Sequence, residues 1–105
     1  MYTDVEQYLT EEYQKKVGRN LKACRKYRKP QITQTQMAEI LHVERQHIIK
    51  IENGKVRIKI EELMAYSTLF DIHPGILLLG DENFIINDMG FSNTMDKIFK
   101  GDLSD

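Results

Sequence analysis

At 105 residues the chain is long enough for one domain with short arms, and a domain of this size can bury roughly two thirds of its unfolded surface without staples. A lone cysteine, Cys24, excludes an internal disulfide, and neither a secretory leader nor an apolar run near the ~20 residues of a membrane span is visible, so a cytoplasmic protein is expected. The net charge of −1 hides a strong polarity: residues 1–14 hold four acids and no base, residues 15–60 thirteen Lys or Arg against three acids, and residues 61–105 nine acids against two Lys. A basic middle between acidic ends is either a solvated helix face or an electrostatic footprint for phosphates.

Taken in chain order, segment 1–29 reads as helical, in one piece or two. Tyr13, Val17, Leu21 and Cys24 recur at helical spacing and predict a buried stripe, which makes Cys24 a core residue rather than a nucleophile. Pro30 ends this helix, because a residue before proline avoids helical geometry. Thr33 and Gln36 form a T-x-x-Q capping box, and Ile32 and Met37 stand at the spacing of a hydrophobic staple, so a second helix begins at Thr33 and runs to about Leu41. Met37, Ala38 and Leu41 face its core side.

After a short connection, His42-Val43-Glu44, a third helix is predicted over 45–52, with Ile48 and Ile51 inward and Asn53-Gly54 as its stop. A fourth helix over 59–70 takes Ile60, Leu63, Met64 and Phe70 as its buried stripe. His73-Pro74 opens a short fifth helix carrying Ile76, Leu77 and Leu78, with proline at the first helical position and His73 as its cap. Residues 80–105 are acidic and rich in Asp, Asn and Gly. Within them Phe91, Met95, Ile98 and Phe99 are spaced for one face of a short helix, 92–100. The expected organisation is therefore all-α: an acidic helical extension over 1–16, a five-helix domain over 17–79, and a tail over 80–105.

Two short helices joined by a tight turn, with apolar positions at 37, 38, 41, 43, 48 and 51, have the layout of a helix-turn-helix. The stretch Thr33-Gln34-Thr35-Gln36-Met37-Ala38-Glu39-Ile40-Leu41-His42-Val43, followed by Ile48-Ile49-Lys50-Ile51-Glu52-Asn53-Gly54, resembles the Cro/repressor-like family of the xenobiotic-response-element type. The likeness runs on through Leu63, Phe70 and Ile72 and covers about residues 17–79.

That resemblance implies a double-stranded DNA partner and a recognition helix, 45–52, lying in the major groove. Its outward residues would meet bases: Arg45 can pair bidentately with guanine, Gln46 with adenine, and Lys50 with guanine or a phosphate, with His47 at the edge and Ile49 inward or against a thymine methyl. Gln34, at the start of the second helix, would meet a phosphate, as would Asn53, Lys55, Arg57 and Lys59 after the recognition helix, and Lys22, with Arg19 and Lys26, on the first. Glu52 would pair with an arginine of the first helix, Arg25, in a structural role.

Three positions depart from the family pattern. Pro30-Gln31 stand as two extra residues between the first helices, His42 replaces the usual turn glycine, and Glu44 replaces the usual Ser or Thr cap. A sequence-specific transcription regulator, a repressor, follows from the resemblance, acting as a homodimer through either the fifth helix with Leu77 and Leu79 or the tail around Phe91 and Phe99. The tail is preferred, because an isolated amphipathic helix needs a partner. The alternative is an antitoxin or adaptor that engages another protein through its acidic arms. His42, His47 and His73 are not at metal-ligand spacing and no Gly-rich phosphate loop occurs, so neither an enzyme nor a metal or cofactor is expected.

Overall fold

A computed structural model describes residues 3–87, and these residues are helices and their links with no strand among them. A short helix α1 (Thr3–Glu6) passes into a 3-10 turn (Gln7–Leu9), and Thr10, extended at φ −91° and ψ 157°, breaks the run. The Thr10 hydroxyl then accepts from the Tyr13 amide at 3.1 Å and starts α2 (Glu11–Tyr27). The break between the two pieces of segment 1–29 is thus an N-cap. The arm lies back on α2, where the Tyr8 and Tyr13 rings meet edge-on with centroids 5.2 Å apart.

On α2 the expected stripe is buried at Val17, Leu21 and Cys24, and Tyr13 packs against its edge. Next come α3 (Gln34–Leu41), α4 (Arg45–Glu52), α5 (Ile60–Phe70) and α6 (Pro74–Leu79), followed by a helical stretch α7 over 82–87. The capping box of α3 is closed in both directions: the Gln36 amide donates to Thr33 Oγ1 at 3.1 Å and the Thr33 amide to Gln36 Oε1 at 2.8 Å. His73 caps α6, its Nδ1 accepting from the Gly75 amide at 2.9 Å.

Three helices end in one kind of turn. His42 (φ 57°) after α3, Gly54 (φ 71°) after α4 and Asp71 (φ 51°) after α5 are all left-handed. In each case the next amide reaches back five residues: Val43 to the Ala38 carbonyl, Lys55 to Lys50 and Ile72 to Ser67. This closure satisfies the carbonyls that a helix end leaves over. His42 therefore does what a glycine would do in the turn between α3 and α4, at the strain a side chain brings to that region.

One core joins these elements, with α4 packed on α3 and α2, and α6 on α2 and α5. Leu21, Met37, Ile48, Ile51, Tyr66, Leu77 and Ile85 lie at its centre. Ile85 belongs to the segment that reads as acidic tail, and Leu77, expected on a dimer surface, is wholly buried; of that pair only Leu79 faces solvent.

The stripe of α5 also differs from expectation. At about 100° per residue, Leu63, Tyr66 and Phe70 fall together, and Ile60 and Met64 fall on the flank. The former three are buried, whereas Ile60 is 78% and Met64 46% exposed. Tyr66 takes the place assigned to them, and burial pushes its phenol far above the usual range, keeping it neutral.

Two small or polar residues in α2 set how the helices cross. A Cβ on Gly18 would run into the Glu52 carbonyl and stand 2.7 Å from that of Ile51, so glycine lets α2 approach the end of α4. Buried Asn20 donates from Nδ2 to the carbonyls of Leu77 and Gly80, each at 2.9 Å, and so closes the end of α6.

Candidate nucleic-acid interface

The site is built on α4, which divides by face. Ile48 and Ile51 point into the core, and Glu52 is buried beneath. Arg45, Gln46 and Lys50 are exposed, while His47 and Ile49 are half-buried. None of the described residues covers the exposed three.

Glu52 is held by Arg25 of α2 in a two-pronged pair, Nε to Oε2 at 2.7 Å and Nη2 to Oε1 at 3.0 Å. Both residues are buried, 6% and 3% exposed, so removal of either would strand a charge away from water. The same guanidinium donates from Nη1 to the Ile32 carbonyl at 3.0 Å, and the Ile32 amide donates to the Arg25 carbonyl at 3.2 Å. The two extra residues Pro30-Gln31 therefore sit in a link pinned at its far end to Arg25, and the pair survives their presence.

From this pair a chain of contacts leads outward. Gln34 Nε2 donates to Glu52 Oε1 at 3.2 Å, and Arg45 Nη2 donates to Gln34 Oε1 at 3.4 Å. The amide of Gln34 thus links the buried carboxylate to the exposed guanidinium. Lys22, Gln31, Thr33, Thr35 and Arg45, with Arg25 and Gln34, line an open recess at the N-terminus of α3. Free first-turn amides and two exposed cations suit this recess to an anion.

His47 has a partner that the sequence reading missed. Its Nε2 lies 2.6 Å from Oε2 of Glu62, whose Oε1 accepts from the Lys59 amide at 2.9 Å. Glu62 is 6% exposed and joins α4 to the start of α5. The two residues are fifteen apart in the chain, beyond the reach of any local pattern, although an acid three residues after a helix start is a recognisable capping position.

Asn53, Lys55, Arg57 and Lys59 are all exposed in the link after α4. Arg57 is turned toward the arm, with its guanidinium donating to the Tyr8 carbonyl at 3.5 Å and the Leu9 carbonyl at 3.3 Å. On α2, Lys22 and Lys26 are exposed, and Arg19 reaches Glu82 of α7 at 4.0 Å. Glu44 precedes α4 without a side-chain cap bond: the His47 amide donates to its backbone carbonyl at 2.9 Å instead, and its carboxylate stays in solvent. The segment 92–100 with Phe91, Met95, Ile98 and Phe99 lies outside the described residues. Among the described residues no group of His, Cys, Asp and Glu is placed to hold a metal, and no helix is long and apolar enough to cross a membrane.

Comparison with known proteins agrees with this geometry: a family model described as helix-turn-helix matches residues 21–77. No curated protein and no solved structure matches the chain.

Proposed function

Because the chain belongs to the Cro/C1-type helix-turn-helix family, whose domain is a DNA-binding regulatory one, we propose that it is a sequence-specific transcription repressor of the xenobiotic-response-element type. It binds duplex DNA in the cytoplasm and reads the major groove with α4. The observation that carries this reading is the division of α4: an inward face locked by Ile48, Ile51 and the Arg25–Glu52 pair, and an outward face that offers Arg45, Gln46 and Lys50 to solvent.

In this reading Arg45 and Gln46 supply base-edge contacts and Lys50 a base or phosphate contact, with His47 and Ile49 at the margin. The Arg45–Gln34–Glu52 chain favours Arg45 as the leading base reader, because its side chain is oriented before DNA arrives. Gln34 and Lys22 at the recess on α3, and Asn53, Lys55, Arg57 and Lys59 after α4, supply phosphate contacts that fix register rather than sequence. Two copies bind as a dimer on a near-palindromic site, with recognition helices about 34 Å apart.

Selection of bound duplexes from a random pool, followed by fluorescence anisotropy over a salt series, tests the proposal. The expected result is an enriched motif and a steep fall of log K with log salt, since several phosphates are neutralised. A flat, weak response with no enriched motif would overturn it, and would favour the antitoxin or adaptor reading if a protein partner were then found to bind the acidic arms.

A further inference from the structure

Val17 of α2, Ile51 of α4, Val56 and Ile58 of the link and Leu78 of α6 line a cleft of about 190 Å³, with Arg57 in its wall. We propose that this cleft binds a small aromatic or aliphatic carboxylate, its apolar body among these five side chains and its carboxylate on Arg57.

Size is the first reason. An apolar cavity of roughly 150 Å³ takes up benzene, so the cleft has room for a single ring with a short substituent. Composition is the second. Ligand pockets are mostly apolar walls with a few convergent polar groups, and here the polar groups sort cleanly. The Tyr13 hydroxyl donates to the Leu78 carbonyl at 2.9 Å, and Gln14 Nε2 donates to the Gly54 carbonyl at 3.0 Å. Both serve the backbone and require nothing further from a ligand.

Arg57 is the exception. Its contacts at 3.5 and 3.3 Å are long and go to neutral carbonyls. Among the described residues it forms no ion pair, in contrast to Arg25, whose fork is filled by Glu52. A carboxylate offers Arg57 a two-pronged, charge-assisted bond about twice as strong as a neutral one. The link that carries Arg57 is fixed at both ends, by the Gly54 turn and by the Glu62 contact to Lys59. The cleft is therefore formed before a ligand arrives.

The test uses the full chain without DNA, so it stands or falls apart from the proposed DNA reading. Benzoate, benzyl alcohol and acetate are titrated separately while amide chemical shifts are followed by NMR. Benzoate is expected to bind saturably, at least about tenfold more tightly than benzyl alcohol or acetate, with shifts centred on Val17, Ile51, Val56 and Ile58. Arg57→Gln, a change at an exposed residue, is expected to bring benzoate down to the level of benzyl alcohol. No saturable shift with benzoate overturns the proposal. So does acetate binding as well as benzoate, which would mark a mere counter-ion, or an affinity that Arg57→Gln leaves unchanged.

Discussion

On α4, Ile48, Ile51 and Glu52 lie under the surface, whereas Arg45, Gln46 and Lys50 stand in water a few ångströms away on the same helix. The inward face is constrained from several sides at once: by Gly18 of α2, by Arg25 and by the core of α3. Among the described residues, the side chains of those three make one hydrogen bond beyond their own helix, the long bond from Arg45 to Gln34. A residue held by many neighbours reports on packing, and a charged residue held by few is free to meet a ligand. Substitutions on the two faces should therefore separate stability from binding.

The largest effect is expected at the carboxylate. Glu52→Ala leaves Arg25 buried without its counter-charge and Gln34 without an acceptor, and breaking a buried pair in this way costs about 3–5 kcal/mol. Urea unfolding followed by circular dichroism reads it directly. A loss below about 1 kcal/mol, the range of surface pairs, would mean that the inward face is not locked by this seam.

Gly18→Ala comes next. Alanine is the better helix former by about 1 kcal/mol, so the change would stabilise an unobstructed helix. Here the new methyl meets the carbonyls of Ile51 and Glu52, which are backbone and cannot turn aside. Overpacking of this kind costs about 1–3 kcal/mol, and a net destabilisation in the same urea experiment is expected. A gain in stability would show that α2 and α4 have slack between them.

These two residues also mark how far the sequence alone could be read. Local chemistry was legible: the Thr33–Gln36 box, the Gly54 stop and the Pro74 start depend on neighbours three or four positions away, and the helices stand where those signals put them. The Arg25–Glu52 pairing spans twenty-seven residues and came from resemblance to a family, since no spacing rule brings those positions together. Gly18 carried a signal that went unused, a glycine inside an otherwise regular helix, which is costly unless a neighbour needs the space. Asn20 and Glu62 carry no local sign of burial, because a polar side chain is buried only where tertiary structure supplies its bonds. On α5 a tyrosine displaced two more apolar side chains from the stripe, because the angle of the face, not hydrophobicity alone, decided burial. The outward face of α4 is a different matter: exposure is on view, but which bases it would meet depends on DNA.

Arg45→Ala sharpens the comparison from the other side. Stability is expected to change by no more than about 0.5 kcal/mol, as for an exposed position. Binding to the selected duplex is expected to weaken by about 1–3 kcal/mol, with preference relaxed at one base pair. Anisotropy against the preferred duplex and against versions changed at each position measures both quantities. Uniform weakening across all versions would move Arg45 from base reading to phosphate contact.

The smallest effect is expected at Lys55, exposed just after the Gly54 turn. If it neutralises one phosphate, Lys55→Ala should weaken binding by a similar factor for every duplex and leave the sequence preference intact. Its mark is then in the salt series, where the slope of log K against log salt should become shallower by about 1. Comparing the slopes of the parent and of Lys55→Ala isolates this term, since one released counterion changes the slope whatever bases are present. An unchanged slope would place Lys55 outside the interface, and would move the boundary of the binding face back from the link to α4 itself.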